Sequence, residues 1–367
     1  MELLGECNDV EDKKVTITKR INVIKGLSIL MVVASHLAPN ISRGGVRVIS
    51  AICNYYGGIL GRIGVLAFLI ISGLLYANNE DRDYSCINVK SFVLGKIKRI
   101  YGLYFLALLL CTTIYVIWDK DINHIQLLET FIIHAGLLQS FVPTKSYMFA
   151  YQLNEPMWYL SMMIFIWVML KPTATFFKGV KKNGYLLICI ATFIIQGIWI
   201  TFSNAIINNP ELLKWMTYVN PIYCFSIFLL GYSITMYLKD YYSQYVGKSK
   251  IILRLNLLLV LVLLLVLPAV PLSYRLYVME IPVAVLINNL CFMSFFPENR
   301  ATRILGSIGE RSTTIFIVHF VPILLFRKLV SIPYLVSIIL CIFMIITLTE
   351  AYEIQKKIVK KRGCGNA

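Results

Sequence analysis

The chain has 367 residues, of which 58% are apolar and only 15% carry a formal charge. A soluble domain of this length carries about a quarter charged residues, so there is too little polar surface here to face water, and lipid must cover most of the chain. The net charge of +16 sits in clusters between apolar runs, which fits the positive-inside pattern of a membrane protein; no basic-aromatic recognition module argues for nucleic acid.

Residues 1–20, MELLGECNDVEDKKVTITKR, are polar and lack the layout of a signal peptide, so the first apolar run is expected to remain as a helix. Apolar runs then predict membrane spans over 23–38, 58–77, 101–118, 157–171, 184–202, 221–238, 252–270, 275–296, 312–330 and 333–350. Segment 125–141, with Glu129 and His134, reads as an interfacial or re-entrant helix, with His124 and His134 at a surface or interface. The 119–156 loop, aromatic and polar in SFVPTKSYMFAYQLNEP, is expected to shape a site on the outer side. Nine cysteines are scattered singly without a CxxC pair; neither a disulfide framework nor a metal site is expected.

Charge sets the orientation. Lys13, Lys14, Lys19 and Arg20 precede the first run, Lys90, Lys96, Lys98 and Arg99 follow the second, and Lys356, Lys357, Lys360, Lys361 and Arg362 close the chain. Segments read as outer hold only Arg43, Arg47, Lys120, Lys145 and Lys214. The expectation is an all-α, polytopic protein of the cytoplasmic membrane with about ten spans and both termini cytoplasmic. It divides into a cytoplasmic segment 1–22, a membrane domain 23–350 and a basic cytoplasmic tail 351–367.

The stretch RINVIKGLSILMVVASHL places Lys25 and His36 eleven residues apart. At about 100° per residue they project from one helix face, about 16 Å apart along the axis, which is roughly half the hydrocarbon thickness. An ionisable residue within a span is a functional candidate by default. Each has a plainer reading as well: Lys25 as a snorkelling anchor, and His36 as a satisfied polar residue at the outer interface.

KGLSILMVVASH resembles the opening helix of the acyltransferase family 3 proteins, with a basic residue, ten intervening residues and then His. The likeness continues in order through GVLAFLIISGLL (64–75), KIKRIYGLYF with Lys96 and Arg99, PMWYL (156–160) and LGSIGERSTTIFIVHF (305–320). Asn22 stands where many members have Asp, Met163 where one branch has Glu, Leu66 at an often acidic position, and Phe68-Leu69 for a phenylalanine pair. The carboxylate partner of His36 is therefore open.

The resemblance implies an O-acyltransferase that moves an acyl group, expected to be acetyl, from acetyl-CoA or another acyl-CoA to a hydroxyl of a cell-surface or lipid-linked sugar. Its partners would be the bilayer, the donor and that glycan. Lys96, Lys98 and Arg99 would hold the donor's phosphates, with Lys25 contributing from the first helix. His36 would act as general base or transient acyl carrier. Trp158 and Tyr159 would form a sugar-stacking platform with Glu155 as hydrogen-bond partner, and Glu155 and Glu280 are the candidate orienters of His36. His319 matches a family position but reads as structural. A different class, a non-catalytic exporter of a polysaccharide or lipid-linked sugar, would need a polar path and no imidazole in register with a phosphate-binding mouth.

Overall fold

The computed structural model describes residues 2–42, 47–79, 83–119, 121–142, 153–244, 249–292, 298–329 and 332–364. Residues 143–152 of the 119–156 loop, together with Arg43 and Lys120, lie outside them. All regular structure among the described residues is helical: α1 (Glu2–Ser42), α2 (Arg47–Ala77), α3 (Val89–Trp118), α4 (His124–Ala135), α5 (Trp158–Phe177), α6 (Lys182–Ile206) and α7 (Pro210–Lys214). There follow α8 (Pro221–Gln244), α9 (Ser249–Val266), α10 (Arg275–Phe292), α11 (Arg300–Glu310), α12 (Ser312–Val318), α13 (Phe320–Lys328) and α14 (Tyr334–Cys364). Nine of the described helices are long and apolar enough to cross a membrane, and a bent pair, Arg300–Glu310 with Ser312–Lys328, makes a tenth. The protein is a polytopic all-α membrane protein.

In the described residues each apolar run falls mostly on a helix, with 312–330 divided between two, and several helices outrun their run; residues 293–296 and 330 lie outside the described residues. The third span begins at Val89, twelve residues before the apolar stretch, because the Asn88 side chain caps its first turn by accepting from the Ser91 amide at 3.1 Å. Lys96, Lys98 and Arg99 therefore ride on α3 itself. The 125–141 segment yields a helix of 12 residues, about 18 Å long and too short to cross the hydrocarbon. His124 is exposed, but His134 is buried, a correction to its expected surface position. Its Nδ1 meets the Thr130 carbonyl at 2.8 Å, and its own carbonyl accepts from the Tyr104 hydroxyl.

Lipid exerts no hydrophobic pull between helices, so close packing of small residues holds the bundle together. A methyl placed on Gly26 would lie 2.1 Å from the Leu305 carbonyl oxygen, and one on Gly309 would lie 1.7 Å from that of Asn22. α1 and α11 thus touch backbone to backbone. Gly73 and Gly231 do the same for α2 and α8, whose opposed carbonyls are those of Phe228 and Ile70. On α2, Gly61 abuts Ser35 and Gly64 abuts the Ser28 carbonyl, which fixes α2 antiparallel to α1. These contacts bury 67% of the central α2 window, against 11% for α9, whose Leu255, Leu258, Leu261 and Leu265 remain outward for lipid.

The tenth span is broken twice. α11 meets the following helix at 62°, where Arg311 pairs with Glu350 and the Thr314 hydroxyl donates to Glu353 at 2.7 Å, both acceptors on α14. A second break falls at His319, between α12 and α13. Pro322 explains it, since it offers no N–H to the Val318 carbonyl one turn back.

Candidate active site

At the end of the bundle reached by the C-terminal turns of α1, a cavity of about 560 Å³ opens between seven elements. α1 contributes Val32, Ser35, His36 and Pro39, and α2 contributes Gly58, Gly61, Arg62 and Val65. The opposite wall is Glu155, Pro156 and Trp158 from the start of α5. Glu211 and Lys214 of α7, then Trp215, Tyr218 and Val219, form the rim, and Phe316 and Arg327 close the back. Glu211 and Lys214 are exposed, so the cavity opens along α7.

Local chemistry holds each wall. Pro39 cannot donate to the Ser35 carbonyl, which loosens the last turn of α1; the next carbonyl, of His36, accepts from Arg327 Nη2 at 2.8 Å. The guanidinium of Arg327 also lies 5.5 Å from the Phe320 ring centroid. Before α5, Asn154 sits in the left-handed region at φ 55°, a conformation asparagine tolerates better than most residues. Its buried side chain donates to the Ile317 carbonyl at 3.1 Å, which ties the Glu155 turn to the broken tenth span. Pro156 then opens a single 3-10 turn, Glu155–Met157, as its fixed φ suits a first turn. Trp215–Val219 is a π-helical turn, a form that favours functional positions; Trp215 Nε1 donates to the Ser140 carbonyl at 3.0 Å.

His36 is half-buried on the cavity wall. Its ring lies 5.4 Å from that of His319 and meets Phe320 edge-on at 5.6 Å. His319 has no solvent exposure. Its Nδ1 reaches the Ile315 and Phe316 carbonyls at 3.1 and 2.9 Å. Carbonyls only accept, so Nδ1 carries the proton and Nε2 is left as a bare acceptor. That Nε2 is buried and has no hydrogen-bond partner among the described residues. The Ile315 carbonyl also accepts the His319 backbone N–H at 3.0 Å, so it serves two donors of one residue.

Of the site residues expected from sequence, the structure brings His36, Glu155 and Trp158 to one cavity. Tyr159, one residue on and about 100° around the helix, points away into the core. It packs against Phe316 at 5.3 Å and Phe68 at 6.2 Å. Glu280 does not line the cavity: it is fully buried and accepts from the Tyr223 hydroxyl at 3.0 Å. Arg275 does not pair with it, being bound instead to the Val270 and Pro268 carbonyls at 2.8 and 3.0 Å. Lys25, Lys96, Lys98 and Arg99 are at the other end. Lys25 is half-buried, within electrostatic reach of Lys96 and Cys291, while Lys98 and Arg99 are exposed. Beside Lys25, Arg20 donates to the Cys291 carbonyl at 2.9 Å.

Sequence reasoning missed Arg62 and undervalued His319. The signal for Arg62 was present: it is the one charge within the apolar stretch GILGRIGVLAFL, and a charge within a span is a functional candidate by default. What the cavity offers is an imidazole on its wall, a second imidazole behind it, three cations and two carboxylates, with an aromatic face at Trp158.

No curated protein and no solved structure matches the chain. A family model described as an acyltransferase domain matches residues 18–352, from just before Arg20 into the last helix. The match spans both the Lys25 end and every wall of the His36 cavity, and the chain belongs to acyltransferase family 3 as a multi-pass membrane acyltransferase.

Proposed function

We propose that the protein moves an acetyl group from cytoplasmic acetyl-CoA to a hydroxyl of a cell-surface or lipid-linked sugar in the cell membrane. The donor docks at the Lys25 end, where Lys96, Lys98 and Arg99 add positive charge for its phosphates. The sugar enters the His36 cavity along α7, stacks on Trp158 and hydrogen-bonds Glu155. One observation carries the reading: His36 stands on the wall of that cavity and on the same face of an unbroken helix as Lys25, in a chain of this family.

The chemistry balances around one proton. The sugar oxygen attacks the thioester carbonyl carbon while His36 takes the hydroxyl proton. The tetrahedral intermediate collapses as the carbon–sulfur bond breaks, and the imidazolium returns the proton to the departing thiolate, giving free CoA and the ester. In the covalent variant the imidazole first takes the acyl group and releases the thiol, and the sugar oxygen then displaces the imidazole. His319 takes the orienting role left open between Glu155 and Glu280. Its bare Nε2 gives the His36 N–H an acceptor as the two rings close, and leaves the other nitrogen of His36 free for the substrate proton.

The test is acetyl content of the host's surface glycan by NMR, in cells carrying wild-type or His36→Ala protein at matched membrane levels. Loss of the acetyl resonance in the variant is expected, with in vitro transfer reduced on the order of 10²–10⁴-fold. Equal acetylation by both proteins overturns the role of His36. A fall in total glycan export, with its acetylation intact, would instead mark a transporter.

A further inference from the structure

Arg62 stands half-buried in the middle of an apolar helix. The Gly61–Ser35 contact fixes its depth: a methyl on Gly61 would lie 2.3 Å from Ser35 Oγ, so Arg62 faces the cavity at the level of His36. Its guanidinium lies 4.5 Å from the Tyr218 ring centroid, and Trp158 supports that ring edge-on at 4.9 Å. Among the described residues no carboxylate pairs with Arg62. An aromatic face steadies a cation but does not neutralise it. A guanidinium taken out of water without a counter-charge is costly, and such a residue within a span is kept for function.

The rest of the cavity adds to its positive charge. Lys214 on the rim and Arg327 on the back wall bring two more cations from separate elements. Glu155 and Glu211 are the carboxylates, and neither is ion-paired with a described residue. The acidic groups are therefore free for sugar hydroxyls, and Arg62 stands ready for an anion.

We infer that the acceptor is an acidic sugar substrate, carrying a phosphate or carboxylate that docks on Arg62 while the ring lies against Trp158 and presents a hydroxyl to His36. The guanidinium fork matches either anion in a bidentate fashion, so a sugar phosphate and a uronic acid share one recognition chemistry. The inference rests on the reading of this cavity as the acceptor site, and its test involves no acyl transfer.

The full-length protein in lipid nanodiscs, without donor, would be titrated calorimetrically with glucose 1-phosphate, methyl glucuronoside and methyl glucoside. The expected result is at least one acidic probe bound about tenfold tighter than the neutral one, an advantage that shrinks with salt. Arg62→Gln removes the advantage and Arg62→Lys keeps part of it. A lead for glucose 1-phosphate identifies the phosphate source, and a lead for the glucuronoside identifies the carboxylate. Equal affinity of the wild-type protein for all three probes overturns the inference even if Arg62→Gln does not fold, and so does an undiminished acidic preference in that variant. Equal acetylation by wild-type and His36→Ala protein, with this preference intact, would mark failure of the proposed reaction and not of the inference.

Discussion

At Gly26, next to Lys25, α1 meets α11 so closely that a methyl would lie 2.1 Å from a carbonyl oxygen. At His36 the same helix borders a cavity of about 560 Å³. One face of one helix thus carries a cation at a tightly packed, basic end and an imidazole at an open, mixed-charge end. Lys25 shares its surroundings with Lys96 and Arg20, which suits a polyphosphate donor. His36 has Arg62, Arg327, Lys214, Glu155 and Glu211 around its cavity, which suits a polar acceptor. Substitutions that act at one end alone are the way to test whether the two ends divide the work.

The largest of these effects is expected at His319. His319→Leu removes the acceptor beside His36 and is predicted to lower kcat by roughly 10- to 10²-fold, part of what a positioned proton-transfer group contributes, with the acceptor KM unchanged. His319→Asp should restore part of the rate by offering another acceptor and should move the acid limb of the pH–rate profile upward, because a carboxylate favours imidazolium. A purely structural His319 would give two equally inactive variants with the same pH profile, and that result would sink the positioning role.

Gly309→Leu attacks the other end. A side chain at that position collides with the Asn22 carbonyl, on the same turn of α1 as Lys25. Overpacking of this kind costs about 1–3 kcal/mol, and it is expected to lower the thermal midpoint in detergent while Gly58→Leu, at a position with open space, changes it little. Equal midpoints for the two variants would mean that the α1–α11 contact is looser than described.

The bundle was legible because lipid makes the hydrophobic signal long and continuous: the described residues of the apolar runs fall mostly in helices, with only 312–330 divided between two. The Lys25–His36 face was legible because helical periodicity is local. Less was legible where long-range packing decides. Trp158 and Tyr159 are neighbours in sequence, yet the helix sends one to the cavity and the other to Phe68 and Phe316. Glu280 reads as an outer-side carboxylate, but the register of α10 buries it against Tyr223. His319 approaches His36 through the packing of α12 and α13 against α1, a long-range contact that no periodicity argument predicts. The start of α3 was hidden by its polar first turns, which a cap rather than hydrophobicity holds in place.

A smaller effect is expected at Lys25. Lys25→Gln should raise the KM for acetyl-CoA roughly tenfold, the scale of one charge-assisted hydrogen bond, and leave the acceptor KM unchanged. Initial rates against each substrate would show it. A rise in the acceptor KM alone would reverse the assignment of the two ends.

The smallest effect belongs to a pair that serves neither end, and it makes a control. Asp83, in the 83–88 connection before α3, is bonded to the Ser85 hydroxyl at 2.6 Å and to Lys178 at 3.0 Å. The Ser85 hydrogen bond, followed by that of Lys178, holds its carboxyl below the ordinary carboxylate range, and Asp83 in turn raises Lys178. A depressed folded-state pKa means that the stabilisation is fully present above the ordinary carboxylate value of about 3.9 and fades as pH falls through the lower folded value. The raised lysine gives stabilisation that is fully present below about 10.4 and lost only above it. Between those limits, pH leaves the pair unchanged. Both side chains are at least half exposed, so salt screens the pair and Asp83→Asn should shift the thermal midpoint little at neutral pH. Comparing the midpoints of Asp83→Asn and wild type at about pH 7 and about pH 4, in low salt, checks both points. A large neutral-pH loss in Asp83→Asn would mean that the 83–88 connection is a structural clamp and that the stability of the bundle is not confined to its glycine contacts.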